Sequence, residues 1–207
     1  MKHIRKNQEP EQFSRWKKGK KGANWKAFAR TSEHRDLRAS LLTEQLGMCC
    51  YCEAIIALES SHLEHLKPKS VYPKDELDYR NLLASCNQKK SCGGIKDNWY
   101  DPEMVSPLAE NCEKRFTYNF ENGEIIPFDK DDLKASETIE KLGLNFKDLK
   151  DQRRNILKIL DNNGYGSDPK DLKKIIQDTL EQEKAWPFGF YTVLIFLAEK
   201  YKIPGLQ

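Results

Sequence analysis

The stretch Ser60-Ser-His-Leu-Glu-His-Leu-Lys-Pro-Lys-Ser70 decides how this chain is read. It sets His62 and His65 around Glu64, and Pro68 follows. Successive residues of a regular strand point to opposite faces, so His62 and Glu64 share one face and His65 takes the other. Glu64 and His65 then meet at one site only if the strand ends or bulges between them. The Lys-Pro-Lys at 67–69 predicts an ending.

Cysteines bracket the stretch. Upstream, Cys49 and Cys52 form a C-x2-C pair, whose tight turn brings two thiolates onto one ion. Downstream, Cys86 and Cys92 offer a second, wider pair. Together the four suit a tetrahedral structural Zn²⁺ site. Cys50 is the alternative to Cys49 with a poorer spacing, and Cys112 reads as a free buried thiol. The competing reading is six reduced, packed thiols.

The wider composition fits metal better than disulfides. At 207 residues the chain has the length of one domain, or of a small one with an appendage. Its N-terminus is charged, which predicts no secretory signal. The longest apolar run, Phe190 to Ala198, is too short to span a bilayer. These features predict a cytoplasmic protein, a compartment where disulfides seldom persist. Residues 1–30 hold ten Lys or Arg against two Glu, so they carry +8 of a net +3 chain. A basic arm on a mildly acidic body points to nucleic acid as partner. A solvated, loosely ordered terminus explains the same charge. Trp16, Trp25 and Phe28, interleaved with the lysines, serve either to stack on bases or, as we read them, to anchor the arm.

Three regions follow. Residues 1–47 are a basic arm and a helix from Ser32 to Leu46, with Leu37, Leu41, Leu42 and Leu46 at helical spacing and Gly47 as its stop. Residues 48–105 hold the cysteines and the quoted stretch. Residues 106–207 begin with a β-hairpin from Arg115 to Phe128, turning at Glu121-Asn122-Gly123. Helices come next: one over Ser136–Leu142, one capped by Asn145, one opened by Asp168-Pro169 and one from about Pro187. The predicted class is α+β.

The ordered set Cys49, Cys52, Glu64, His65, Pro68, Asn81, Leu82, Cys86, Cys92 and Lys96 resembles the zinc-knuckle form of the HNH nuclease superfamily. The segments MKHIRKNQEP, LLTEQLGMCCYCE, HLEHLKPKS, LDYRNLLASC, VSPLAE and ETIEKLGLN are similar to the PtuB-like group of that superfamily. These are HNH effectors of Septu and retron anti-phage systems. The resemblance implies a zinc-stabilised ββα-metal core and a metal-dependent endonuclease, with DNA the favoured substrate. It implies His65 as general base, Glu64 as an oxygen ligand for a catalytic Mg²⁺ or Mn²⁺, and Asn81 as the residue that orients the histidine. It further implies an ABC-type ATPase as partner and, in some systems, a retron reverse transcriptase with its RNA–DNA hybrid.

Such motifs often place Asn or His directly after the last cysteine, where this chain has Gly93. Asn87, Asp97, Asn98 or water are the candidates to complete the ion's shell. His62 is a further ligand, a phosphate contact or a packing residue. Lys96 is either a phosphate contact or an exposed lysine. The alternative function is a zinc-built nucleic-acid-binding or adaptor module without turnover. Trp186, Phe188, Phe190 and Tyr191 are candidate anchors for a partner, or else core.

Overall fold

The computed structural model describes residues 1–161, 174, 178, 179 and 188–200. Among these the fold is mixed α+β, with two small antiparallel hairpins and short helices around one core.

The basic N-terminal segment is folded, which corrects the expectation of a flexible arm. Helix α1 (Glu11–Gly19) buries Phe13 and Trp16, three residues apart and so on one face. Both rings pack on Phe28, which ends the one-turn helix α2 (Trp25–Phe28), with centroids 4.8 and 4.9 Å away. Burying side chains of this size stabilises by about 1.5–3 kcal/mol each, enough to hold down a highly charged segment. The aromatics therefore anchor. Lys18, Lys20 and Lys21 stay exposed, so the positive charge is presented on folded surface.

Helix α3 (Ser32–Glu44) starts where the Thr31 hydroxyl accepts from the His34 amide, and it buries Leu37 and Leu41. It stops because Leu46 and Gly47 both turn left-handed, and the Gly47 amide donates back to Leu42 O. Gln45, at its end, is fully used. Its amide nitrogen donates to Met48 O and Ala84 O, and its oxygen accepts from the Ala84 amide. The helix is thereby fixed to the central strand pair.

That pair is β1 (Ser61–His65) against β2 (Leu82–Cys86), antiparallel from Ser61↔Cys86 to His65↔Leu82. All five β2 residues are buried. The connection between them is held by Asn81, whose side chain accepts from the Lys67 amide and donates to Lys67 O and Asp75 O. After β2 the chain loops into a single helical turn, α4 (Gly93–Lys96).

The second hairpin is β3 (Phe116–Tyr118) against β4 (Ile125–Pro127), at the predicted place. Gly123 takes φ +73° in its turn. Helix α5 (Leu133–Lys141) starts earlier than the sequence suggests. The Asp132 carboxylate caps it by accepting from the Ala135 amide and also pairs with Arg115. Helix α6 (Lys147–Asp161) is not capped by Asn145. That side chain instead accepts from the Ile125 amide and donates to Ile125 O, sealing the edge of β4. The loop expected after Asp161, the helix at Asp168-Pro169, Trp186 and Pro187 lie outside the described residues.

Helix α7 (Tyr191–Lys200) packs inward: Phe190 and Tyr191 are buried, so they are core and not partner anchors, while Phe188 is 41% exposed. Its start is tied to the cysteine turn. The Phe190 amide donates to Glu53 O, and the Thr192 amide and hydroxyl donate to the buried Glu53 carboxylate at 2.7 and 2.6 Å.

Candidate metal centres and the histidine beside them

Two groups of side chains sit on opposite sides of the β1–β2 pair, with a thiol cluster at its end. The cluster is Cys49, Cys52, Cys86 and Cys92, whose sulfur atoms all lie within 4.8 Å of one another. Four thiolates at about 2.3 Å from one zinc ion stand about 3.8 Å apart, so this set fits the ion. The fold delivers them from three places. Cys49 and Cys52 lie on a turn closed by the Cys49 amide on Ala54 O, Cys86 ends β2, and Cys92 precedes α4. The Cys86 amide donates to Cys49 Sγ at 3.4 Å, the kind of bond that orients a thiolate ligand. All six cysteines are unpaired with one another. Cys50 stands outside the cluster, with its amide on Ala84 O. Cys112 is the buried free thiol expected, and burial pushes it up to about 12.

On one face of β1, Glu64 is 7% exposed and its two oxygens have different neighbours. Oε1 takes the Lys96 ammonium at 3.1 Å and the Tyr51 hydroxyl at 3.2 Å. Oε2 has His62 Nε2 at 3.2 Å. Burial pushes the carboxyl up, but His62 and the Lys96 charge outweigh it, and the group is held below its ordinary range. His62 lies on the same strand face, as the alternation requires, and its Nδ1 meets Asn87 Oδ1 at 3.1 Å. Gly93 faces this group. A Cβ there would lie 2.5 Å from Glu64 Oε2 and 2.6 Å from His62 Nε2. Of the other candidates near the last cysteine, Asn98 is engaged by the Ser70 hydroxyl.

Lys96 is not the exposed lysine of the alternative reading: it is 2% exposed, and its ammonium also donates to His65 O at 2.9 Å. A single lysine thus ties the end of β1 to the only carboxylate on that face of the strand.

His65 stands apart from Glu64. The ladder runs unbroken to His65↔Leu82, so no bulge swings the two side chains together, and the strand ends at His65 as the Lys-Pro-Lys suggested. Its ring packs edge-on against Trp25, with centroids 4.2 Å apart, and Nε2 lies 3.0 Å from Glu76 O. With Nε2 as donor, Nδ1 keeps the lone pair. Burial pushes the imidazole down to about 4, so it is neutral near pH 7. The side-chain hydrogen bonds of Asn81 go to Lys67 and Asp75 and not to the His65 ring. Asn81 thereby positions the loop whose next residue, Glu76, receives the histidine. Sequence reasoning missed Tyr51, Trp25 and the Glu76 carbonyl. The first two carried no spacing signal, and a backbone acceptor carries none at all.

No family model matches the chain. Two curated proteins are similar to it. One is the Septu protein PtuB of Bacillus thuringiensis, 31% identical over 114 residues, which is 53% of this chain and 41% of that protein. The other is the "Retron Vc95 putative HNH endonuclease" of Vibrio cholerae serotype O1 biovar El Tor, 31% identical over 129 residues, 57% of this chain and 62% of that protein. The chain is distantly homologous to both, and the matches span less than two thirds of either relative. No helix among the described residues is long and apolar enough to cross a membrane.

Proposed function

We propose that this chain is a metal-dependent HNH-type endonuclease that hydrolyses phosphodiester bonds of nucleic acid, DNA by preference, within an anti-phage defence system. The names of the two relatives support the class. The observation that carries it is the arrangement on β1: a buried carboxylate with one oxygen saturated by protein donors and the other open toward Gly93, one residue before a neutral histidine on a fixed ring. In this reading β1, β2 and the turn α4 are the ββα unit, and the four-thiolate zinc site is its structural brace.

Glu64 Oε2 is the hard oxygen ligand for the catalytic Mg²⁺ or Mn²⁺. That ion supplies Lewis acidity for the charge that builds on phosphate and leaving oxygen. The chain's own residues do the rest. Lys96 and Tyr51 fix Oε1, so the carboxylate does not turn away. His65 accepts the proton of the attacking water at Nδ1, while the Glu76 carbonyl holds the ring by Nε2 and Asn81 holds Glu76 in place. Trp25 packs edge-on against the His65 ring and helps to hold it in that orientation. The exposed lysines around Trp25 meet the phosphate backbone without reading sequence. An ABC-type ATPase, and where a retron is present its reverse transcriptase with RNA–DNA hybrid, complete the system and restrain a nuclease that lacks sequence selection.

The alternative is a nucleic-acid-binding or adaptor module without turnover, which the burial of His65 favours. Purified protein incubated with plasmid DNA and with RNA, with Mg²⁺ or Mn²⁺ and with or without the ATPase, separates the two. Cleavage that disappears in Glu64→Gln and in His65→Ala, both with normal zinc content, supports the nuclease. Binding without cleavage in every arm supports the module.

A further inference from the structure

We infer that His62 is a direct ligand of the catalytic ion, supplied by strand β1 in place of a side chain from the turn after Cys92, and that this makes the site one that prefers Mn²⁺ to Mg²⁺. The inference rests on the nuclease reading above and gives its metal site a second donor.

The turn offers no donor where it faces Glu64. Gly93 has no side chain, and none would fit, because its Cβ would collide with Glu64 Oε2 and His62 Nε2 together. The volume that a residue at 93 would fill is filled by the His62 imidazole. Adjacent ligands at about 2.1–2.2 Å from an octahedral ion stand roughly 3.0 Å apart. His62 Nε2 and Glu64 Oε2 are 3.2 Å apart, which is that spacing. The ring is also set the right way round. Asn87 Oδ1 accepts from Nδ1–H, so Nε2 is the nitrogen that faces Glu64 Oε2; without the ion it donates to that oxygen, and a bound ion takes the place of the Nε2 proton, which is released to solvent. A hydrogen-bonded far nitrogen is the usual companion of a metal-bound histidine. The His62 side chain is 36% exposed against 9% for Glu64, so an ion enters from the His62 side without the core opening.

The chemistry of the donors sets the preference. A carboxylate alone suits Mg²⁺ as well as Mn²⁺, whereas an imidazole nitrogen adds affinity for first-row transition ions and little for Mg²⁺. Asn87 is then a positioning residue, acting through the ring.

The test uses the full, zinc-loaded chain without nucleic acid. Free Mn²⁺ is followed by its paramagnetic resonance signal during titration, and Mg²⁺ by competition. Wild type is expected to bind Mn²⁺ at least about tenfold more tightly than Mg²⁺. His62→Ala should weaken Mn²⁺ by about 10- to 100-fold, a loss typical of disturbed metal shells, and change Mg²⁺ little. Gly93→Ala, which intrudes on the same space, should weaken both ions. Pulsed resonance of the Mn²⁺ complex should show a directly bonded nitrogen that changes on ¹⁵N-histidine labelling. This readout needs no variant. A wild-type complex without nitrogen coupling, or His62→Ala binding Mn²⁺ as tightly as wild type, overturns the inference. If either occurs while Glu64-dependent cleavage persists, the inference fails and the nuclease reading stands. Nitrogen-coupled Mn²⁺ in a chain that cleaves nothing sinks the nuclease reading alone.

Discussion

Lys96 shows what a single buried charge does in this site. Its ammonium faces Glu64 Oε1 in a nearly dry environment and caps His65 O, so it neutralises the carboxylate and fixes the end of the strand at once. Removing one member of a buried pair leaves the other charge uncompensated, at a cost of about 3–5 kcal/mol. Lys96→Met should therefore lower unfolding free energy by about 3 kcal/mol in denaturant titration. A loss below about 1 kcal/mol would mean that Tyr51 and His62 hold Glu64 without help. The sequence made Glu64 and His65 legible because a short ordered motif names them, and strand alternation put His62 beside Glu64. It hid the burial of Lys96, since lysine is by default a surface residue. It also hid how Asn81 works, since the bonds from its side chain run to backbone groups of a loop that no spacing rule describes.

At the level of elements, the helices and hairpins were read from periodicity and turn residues, and their ends depended on caps. Ser136 and Asn145 have the chemistry of caps, but Asp132 lies closer to where the chain turns, and Asn145 finds a better partner in the edge of β4. Asp132→Ala should cost about 1–2 kcal/mol through the lost cap alone, seen as a lower denaturation midpoint with unchanged slope. The N-terminal segment was legible in part. Charge suggested a loose arm, whereas Phe13, Trp16 and Phe28, spaced for one face of a helix and its neighbour, place it in the core. Function and stability in this segment are therefore separable on its surface. Changing the exposed Lys18, Lys20 and Lys21 to glutamine should leave the unfolding midpoint unchanged. If all three meet phosphates, it should reduce the salt-dependence slope of DNA binding by up to roughly 0.9 per residue. An unchanged slope would assign the lysines to something other than nucleic acid. Deleting residues 1–22, by contrast, should unfold the protein rather than merely weaken binding.

For the molecule as a whole, the cysteine cluster is the joint where the pieces meet. It ties the turn after α3, the end of β2 and the start of α4 to one point. The purified protein should contain about one zinc per chain, and the ion's binding energy is folding energy. Cys52→Ser should lose the metal and lower the unfolding midpoint by on the order of 10 °C. Cys112→Ser should keep the metal, because that thiol is buried away from the cluster and donates to Met1 O. Elemental analysis with a thermal melt decides both. Equal zinc loss in the two variants would break the assignment of the four ligands. The four cysteines were legible by spacing, although the wide second pair needed the fold to bring Cys92 back to the others. The packing of α7 on the cysteine turn was not, because its partners are 139 residues apart and no local pattern couples Glu53 to Thr192.

That long-range contact sets an order of events during synthesis. Glu53 sits directly after Cys52, and its carboxylate is buried against the Thr192 amide and hydroxyl. Until residue 192 has been made, this carboxylate lacks these two donors and has the Met1 ammonium, at 2.7 Å, as its buried partner. At roughly 10 residues per second, the wait is on the order of ten seconds. For that interval the nascent chain already carries Glu64 and His65 but not the helix that closes the cysteine turn. A chain put together in this order closes its cysteine turn only once residue 192 has been made.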